Sequence, residues 1–418
     1  MSRITAPKGT VDIFYPEVVK WQYLEDRIRT FYARFFYREI RTPLFEHSEL
    51  FLRGIGDQTD VVQKEMYTFD DKGSRSLTLR PENTASVVRA AIENNLWDQV
   101  FPLRFFYIGP MFRYEKPQKG RQRQFHQFGI EVFGDSSPQV DAEVVYSAYR
   151  FLIGLDIRDI QVHINSVGCP QCRPAFVGAL KAAALKEEAD LCPDCQRKVH
   201  TNPLRIFDCK NPQCIKVSDR FPAITDYLCA GCRDHHAAFK AALQVLAVPS
   251  RENSRLVRGL DYYTHTTFEI TSGQLGAQNA VLGGGRYNNL VKELGGADVS
   301  GIGFAAGMER IILHLGDTPH LGHRQKIILV AYQDPGIELQ ALQLCARLWE
   351  KGITAYMDYG ASQLKKQFKK GDKLKADFTF ILGQEEIANH TLSIKRMETR
   401  EQIAIKEEDL DQWLKQNI

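Results

Sequence analysis

Eight of the nine cysteines in this 418-residue chain lie between Cys169 and Cys232. No other feature restricts the fold as strongly. In a reducing compartment such clustering points to metal before disulfides. The sequence "IQVHIN", ending at Asn165, reads as a strand leading into this segment, and strand-like sequence resumes with "RLVRGLDYYTHTTFEIT" from Arg255. Residues 168–250 are therefore expected to be an insertion within a larger domain. A unit of that size has a limited core of its own, and a metal site would supply much of its folding free energy.

The cysteines fall in pairs. Cys169-Pro-Gln-Cys172 and Cys192-Pro-Asp-Cys195 are separated by a spacing that fits a four-cysteine zinc site. Cys209 with Cys214, and Cys229-Ala-Gly-Cys232, form a second set, so one or two structural zinc ions are expected. The alternatives are free buried thiols or the remnants of a lost site, and spacing does not decide which pairs share a metal. His200, His235 and His236 could each replace a thiolate, but they read more simply as surface histidines.

The net charge of +3 argues for no nucleic-acid partner by itself, so any basic surface must be local. The opening "MSRITAPKGTVDIFYPE" has no apolar h-region, and no uninterrupted apolar run reaches membrane-spanning length. A cytoplasmic protein with no membrane segment is expected.

Leu24, Ile28, Phe31 and Phe35 recur at helical spacing and predict an amphipathic helix between Pro16 and Phe36. "EIRTPLFEHSELF" reads as a strand reaching Pro43 and then a turn. Arg104 to Gly134 reads as strand, polar loop and strand, an antiparallel hairpin, and Ser137-Pro138 opens a helix. Beyond a linker in "GDTPHLGHRQK", the segments "IILVAY", Gly336–Lys351, "ITAYMDY", a lysine-rich helix and "DFTFILG" alternate as the βαβαβ of a small α/β domain.

The hairpin "FRYEKPQKGRQRQFHQFGIEVFG" concentrates fixed cations on a loop. Arg113 sits near the end of one strand and Arg121 and Arg123 on the loop, with Glu115 expected on the face of Arg113. Cations so placed suit the phosphates of a nucleoside triphosphate, and Phe125 could stack on its base. A solvated basic loop on a structural hairpin is the competing reading. "GIGFAAGMERIILHL" adds small residues before a helix that opens with Glu309 and Arg310.

"EIRTPLFE", "FRYE" and "GMER" resemble, in this order, motifs 1, 2 and 3 of the class II aminoacyl-tRNA synthetases. "RGLDYYTHTTFEI" and "GGGRYNNL" resemble the two histidine motifs of the histidyl-tRNA synthetases of bacterial type, as do "TAPKGTVDI", "RGIGDQTDVVQKEMYTF" and "TLRPENTAS". The resemblance covers nearly the whole chain. It implies an α+β fold: an antiparallel-sheet catalytic domain over 1–167 and 251–318, the cysteine-rich insertion over 168–250, and an anticodon-binding α/β domain over 325–418.

It also implies roles. Arg113 would bind the α-phosphate of ATP, with Arg121 and Arg310 reaching the outer phosphates and accompanying Mg2+. Phe125 and Arg310 would sandwich the adenine, and Glu115 would accept from its amine. Glu131 and Tyr263 would fix the histidine ring, beside Tyr262 and with Tyr287 as a further wall. Glu82, Thr84 and Gln127 would take the α-amine, and Asn83, where the family usually has glycine, is counted with them. Arg258 would face the substrate carboxylate and α-phosphate as the principal catalytic residue, with Arg113 and Arg310. A merely structural ion pair is its competing role.

Asn288 replaces a usual aspartate behind the pocket. Gly371 stands where alanine is common, at a cost of about 1 kcal/mol to a helix. The implied partners are L-histidine, ATP, tRNA(His) and a second copy in a homodimer. Lys365, Lys366, Lys369, Lys370 and Lys373 would favour the tRNA. A non-catalytic regulatory subunit of histidine biosynthesis tends to lose the phosphate-binding arginines, the insertion and the C-terminal domain, all present here. A zinc-dependent nucleic-acid-binding module would leave the triphosphate and histidine motifs unexplained.

Overall fold

The computed structural model describes the chain except for residues 1–2, 57–58, 99–101, 119, 274–278, 317–324 and 361–362. The expected linker falls largely on 317–324, and part of "RGIGDQTDVVQKEMYTF" on 57–58, outside the described residues. The chain divides into two compact units, 1–321 and 322–418. Among the described residues no helix is long and apolar enough to cross a membrane.

Among the described residues the first unit holds eleven strands: β1 Arg38–Glu39, β2 Phe45–His47, β3 Tyr67–Asp70, β4 Ser76–Leu79, β5 Leu103–Phe112, β6 Gln124–Phe133, β7 Ile160–Ser166, β8 Ser250–Glu252, β9 Thr264–Ser272, β10 Ala280–Arg286 and β11 Gly301–Gly307. Eight form one sheet in the order β1-β5-β6-β11-β10-β9-β7-β8. Pairing is antiparallel from β5 through to β7, and β1 and β8 add parallel edges. β2, β4 and β3 make a separate small sheet. The expected strand through Pro43 is thus split into β1 and β2, with the proline, which has no N–H to give a ladder, between them.

Strand alternation sorts the two faces of the sheet. Phe128, Ile130 and Val132 of β6 share one core with Leu24, Ile28 and Tyr32 of the helix Val18–Ala33 and with the helix Pro138–Gly154. Phe133 of the same strand joins Tyr107, Tyr262, Tyr263 and Tyr287 in a second core on the opposite face. Glu131, also odd-numbered, therefore points to that aromatic side. β6 is half-buried from Gln124 to Gln127 and fully buried from Phe128 onward, so the carboxylate sits at its deep end.

After β8 the next strand starts at Thr264; residues 256–263, expected to be strand-like, form a loop, and this loop carries Arg258, Tyr262 and Tyr263. Between β7 and β8 the cysteine-rich segment runs through short helices to a return helix, Ala230–Val245. Phe239 and Leu243 of that helix join the sheet's main core, whereas Ala184, Leu191, Cys195, Val199, Ile206, Cys214 and Val217 form a small core of their own.

The second unit has a five-stranded sheet built from β12 Ile327–Tyr332, β13 Thr354–Met357, β14 Phe378–Leu382, β15 Thr391–Arg396 and β16 Gln402–Lys406, in the order β13-β12-β14-β15-β16. β15 and β16 extend the expected βαβαβ as an antiparallel pair. Gly371 lies in the helix Leu364–Leu374, where a Cβ would come within 2.9 Å of Leu329 on β12. The glycine permits close packing of helix on sheet, which offsets its propensity cost. Lys365, Lys366, Lys369 and Lys373 are exposed on this helix, and Lys370 pairs with Asp358.

Candidate active site

An open cleft of about 1100 Å³, its solvent-filled mouth included, lies on the aromatic face of the sheet. Glu82, Thr84, Gln127, Arg258, Tyr262, Tyr263 and Tyr287 line it together with Arg113, Glu115, Arg121, Phe125 and Arg310. Residues from five separated stretches of sequence thus meet at one site.

The deep end is a closed polar network. Glu131 is 1 % exposed, and its Oε1 accepts from the Thr84 hydroxyl at 2.8 Å. Its Oε2 accepts from the Tyr287 hydroxyl. Tyr287 therefore does more than wall the pocket: it bonds the carboxylate directly. Burial pushes the Glu131 carboxyl up to about 8, opposed by the two hydroxyl bonds and reinforced by the nearby Glu82. Gly303 faces Glu131 across β11, where an added Cβ would lie 2.0 Å from Oε2. Only glycine leaves room for the acid.

Glu82 accepts from the backbone N–H groups of Thr84 at 2.7 Å and Ala85 at 3.0 Å, at the start of the helix Thr84–Glu93. Gln127 presents a buried side-chain oxygen with no partner among the described residues, an acceptor open to a donor such as an amine. Tyr262 and Tyr263 lie with ring centroids 4.7 Å apart, and Tyr262 meets Tyr287 edge-on at 5.6 Å. Asn83 does not join this group. Its Oδ1 accepts from Thr42 at 2.7 Å and Arg80 at 3.1 Å beneath the cleft, so it braces the preceding turn.

Arg258 donates to Glu269 of β9 at 2.8 Å while its guanidinium lies over Gly283, where a Cβ would come within 2.3 Å. It is both ion-paired and held flat on the cleft wall.

At the mouth, Arg113 follows the last residue of β5; its Nε donates to the Pro81 carbonyl at 2.9 Å and its guanidinium lies 5.4 Å from the Phe125 ring. β5 ends at Phe112, so Glu115 lies in the loop and not on a strand face shared with Arg113. There it pairs with Arg121. Arg310, in the first turn of the helix Met308–Leu315, donates to the Ala280 carbonyl.

The eight clustered cysteines gather into two groups: Cys169, Cys172, Cys229 and Cys232, and Cys192, Cys195, Cys209 and Cys214. The pairing is nested, so the sequential grouping of the first two pairs with each other is replaced. The reason is topological: the return helix Ala230–Val245 carries Cys232 back to the start of the segment, beside Cys172. Sulfur separations of 3.7 Å for Cys169–Cys172, 3.9 Å for Cys169–Cys229, 3.8 Å for Cys172–Cys232 and 3.9 Å for Cys192–Cys209 recur. Four thiolates at about 2.3 Å from a tetrahedral zinc would stand about 3.8 Å apart.

The histidines are not ligands within these groups. His235 and His236 are not surface residues either. They bond Asp141 and Glu252, each at 2.8 Å, while the exposed His200 bonds Glu188 at 2.9 Å. Asp141 is fully buried against Arg286, whose guanidinium also donates to Asn288 at 3.3 Å. The amide at 288 thus accepts from the arginine that a buried acid already neutralises.

Sequence reasoning missed Glu269, Gly283 and Gly303. All three stand in quoted stretches. Glu269 is the one acid in a strand of threonines between Phe268 and Ile270, and the glycines repeat on facing strands, a pattern of close approach in a sheet.

The fold and site define a class II aminoacyl-tRNA synthetase: an antiparallel sheet bearing an arginine-lined mouth and an acid at its floor. Residues 9–191 and 230–311 match the family described as histidyl-tRNA synthetase, and 326–417 match an anticodon binding domain. A histidine–tRNA ligase of Halothermothrix orenii is 48% identical over 405 residues, 96% of each chain. The crystal structure of apo S. aureus histidyl-tRNA synthetase aligns at a TM-score of 0.82 and 36% identity, covering 98% of this chain and 99% of that one. A Bacillus halodurans structure described as an ATP phosphoribosyltransferase regulatory subunit/histidyl-tRNA synthetase shares the fold at a TM-score of 0.64 with 19% identity, covering 88% of this chain and 97% of that one. The chain belongs to the histidyl-tRNA synthetase family.

Proposed function

We propose that this chain is a histidine–tRNA ligase that joins L-histidine to ATP as histidyl-adenylate and then to tRNA(His). The observation that carries this reading is one cleft with Thr84 and Tyr287, both bonded to the buried Glu131 behind them, at one end and Arg113, Arg121 and Arg310 at the other. In the first step the histidine carboxylate attacks the α-phosphorus, the bond to the bridging oxygen breaks, and pyrophosphate leaves. Arg258 and Arg113 would hold the charge that builds on the α-phosphate oxygens, without losing a proton. In the second, a ribose hydroxyl at the 3′ end of tRNA attacks the acyl carbon and AMP departs.

Glu131 and Tyr263 would orient the imidazole, with Tyr262 and Tyr287 packing around it, and Glu82, Thr84 and Gln127 would receive the α-amine. Phe125 and Arg310 would hold the adenine, with Glu115 accepting from its amine, and Mg2+ would enter with the ATP phosphates. The separations of the cysteine sulfurs support a structural zinc in each group of four. We take the enzyme to be a cytoplasmic homodimer in which residues 325–418 bind the anticodon. A regulatory subunit without catalysis is the competing reading, and the intact arginine set disfavours it.

Histidine-dependent ATP–pyrophosphate exchange by the purified protein, followed by charging of tRNA(His), is the test. Exchange that is absent, or equal with every amino acid, would defeat the proposal.

A further inference from the structure

The catalytic loop that carries Arg258, Tyr262 and Tyr263 bonds the sheet through Asn165 to the Leu256 carbonyl at 3.1 Å and through Arg258 to Glu269 at 2.8 Å, and the cysteine-rich segment grips it as well. Arg173, which follows Cys172 directly, donates to the carbonyl of Tyr263 and, at 3.0 Å, to that of Val167. Arg205, four residues before Cys209, donates to the carbonyl of Arg258 at 3.1 Å and to the Asp261 carboxylate at 2.6 Å. The two guanidiniums line one crevice with Arg258, Leu260, Asp261 and Tyr263. Each arginine belongs to a different sulfur cluster. Arg173 opens the helix that starts beside Cys172, and Arg205 lies in the turn that ends at Cys209.

The cluster of Cys169, Cys172, Cys229 and Cys232 is tied more tightly still to the sheet. Backbone bonds join Val167 to His265 at 2.7 Å and His265 to Gly168 at 2.9 Å, so the chain entering the cluster runs alongside the chain leaving the loop. Such a segment would be expected to serve tRNA alone if it were a separate appendage. Its contacts say otherwise.

We propose that the two tetracysteine centres, each closed by a zinc ion, fix Arg173 and Arg205 as positioning residues for the Arg258–Tyr263 loop, so that metal occupancy supports histidine activation itself. The inference rests on the synthetase reading above. Its physical basis is that four sulfur–metal bonds fix the turn from which each arginine reaches: the group of Cys192, Cys195, Cys209 and Cys214 has only a small core of its own, and that of Cys169, Cys172, Cys229 and Cys232 packs into the aromatic core beside the cleft. An arginine anchored on that turn then holds a backbone carbonyl, and through it the catalytic guanidinium, to the tolerance that transition-state stabilisation requires.

The test uses the full chain. Elemental analysis of wild-type protein should give two zinc ions per chain, and cobalt replacement should give the visible bands of tetrahedral thiolate coordination. Arg173→Met and Arg205→Met should keep both zincs and bind ATP as wild type does. Their kcat for histidine-dependent exchange should fall by about tenfold or more, with the KM for ATP unmoved. Arg205→Lys should recover part of the loss, because a cation still reaches the carbonyl of Arg258. Cys192→Ser with Cys195→Ser should lose one zinc and slow exchange as well as charging. Fewer than about half an equivalent of zinc with all eight thiols free would overturn the metal centres. Full exchange activity in both arginine variants would overturn the coupling. Failure of the synthetase reading shows separately, as no exchange in the zinc-loaded wild type.

Discussion

At the floor of the cleft, Thr84 and Tyr287 are buried and each bonds Glu131 just behind them; at its mouth, Arg113, Arg121 and Arg310 reach carbonyl groups or a loop acid. The floor is complete before any substrate arrives. Its donors and acceptors are fixed by Glu131 on β6, by Tyr287 directly after β10 and by Thr84 in the first turn of a helix. The mouth is assembled from a strand end, a loop and a helix start, and its cations must exchange their present partners for phosphate oxygens. On the proposed reading, selection of the amino acid would be built into the rigid part of the molecule, where a wrong ring would leave buried polar groups unpaired. The grip on the triphosphate, common to many enzymes, is left to groups that can move.

The largest effect is expected between the two ends, at Arg258. Arg258→Ala should slow adenylate formation by about 10²–10³-fold while changing histidine affinity little. Glu269→Gln supplies the control, since it removes the ion pair but keeps the guanidinium. Equal losses in the two variants would make Arg258 a structural partner only.

Gly303→Ala tests whether the floor is truly rigid. Its methyl group would meet both the Glu131 carboxylate and the Ile130 carbonyl, so the acid or its strand must shift, and a shift of about 1 Å should cost histidine activation about 100-fold. A variant near wild type would show that the floor can give.

Glu131→Gln should weaken histidine binding by about 10–100-fold in calorimetry and leave ATP binding nearly intact. The same variant has a signature in stability. Glu131 is raised from an ordinary 4.5 to about 8 in the folded chain. Below about pH 4.5 both states hold the proton. Between about 4.5 and 8 the folded chain keeps a proton that the unfolded chain has released, so stability falls as pH rises; above about 8 the loss levels off. Substrate-free Glu131→Gln should lack this decline, and thermal melts across that window measure it. Parallel curves for variant and wild type would place the acid in a wetter site than its burial indicates.

The smallest effect belongs to the mouth. Arg121→Ala should raise the KM for ATP by less than about tenfold, because its present pairing with Glu115 is partly exposed and replaceable. A loss as large as that at Arg258 would erase the distinction between a fixed floor and an adaptable mouth.

Much of this site was legible in the chain. The hairpin announced itself by alternation and by its cationic loop, and Ser137-Pro138 marked a helix start that the structure places at Pro138. The motif residues then fell together because each lies at a strand end, a strand interior or a helix start. What stayed hidden depends on distance in space. Neighbouring cysteine pairs looked like natural partners, but the return helix joins the first pair to the last. The 256–263 loop read as strand because its tyrosines and aliphatic residues favour sheets, although the cleft needs them on an irregular backbone. Gly371 looked like a weakness until Leu329 was found against it.

β7 and β8 run parallel, Val162 beside Ser250, so the chain between them has to travel back along the sheet before it can re-enter. The helix Ala230–Val245 makes that journey, and the family match resumes at residue 230 after a gap from 192 to 229. The sheet thus asks only for the returning helix and is indifferent to how much chain precedes it. Lengthening such an excursion is cheap, about 0.6 kcal/mol for each doubling if the added chain is flexible. A lineage can lengthen, shorten or replace this excursion without redrawing the sheet, and whatever it carries arrives beside the loop that holds Arg258.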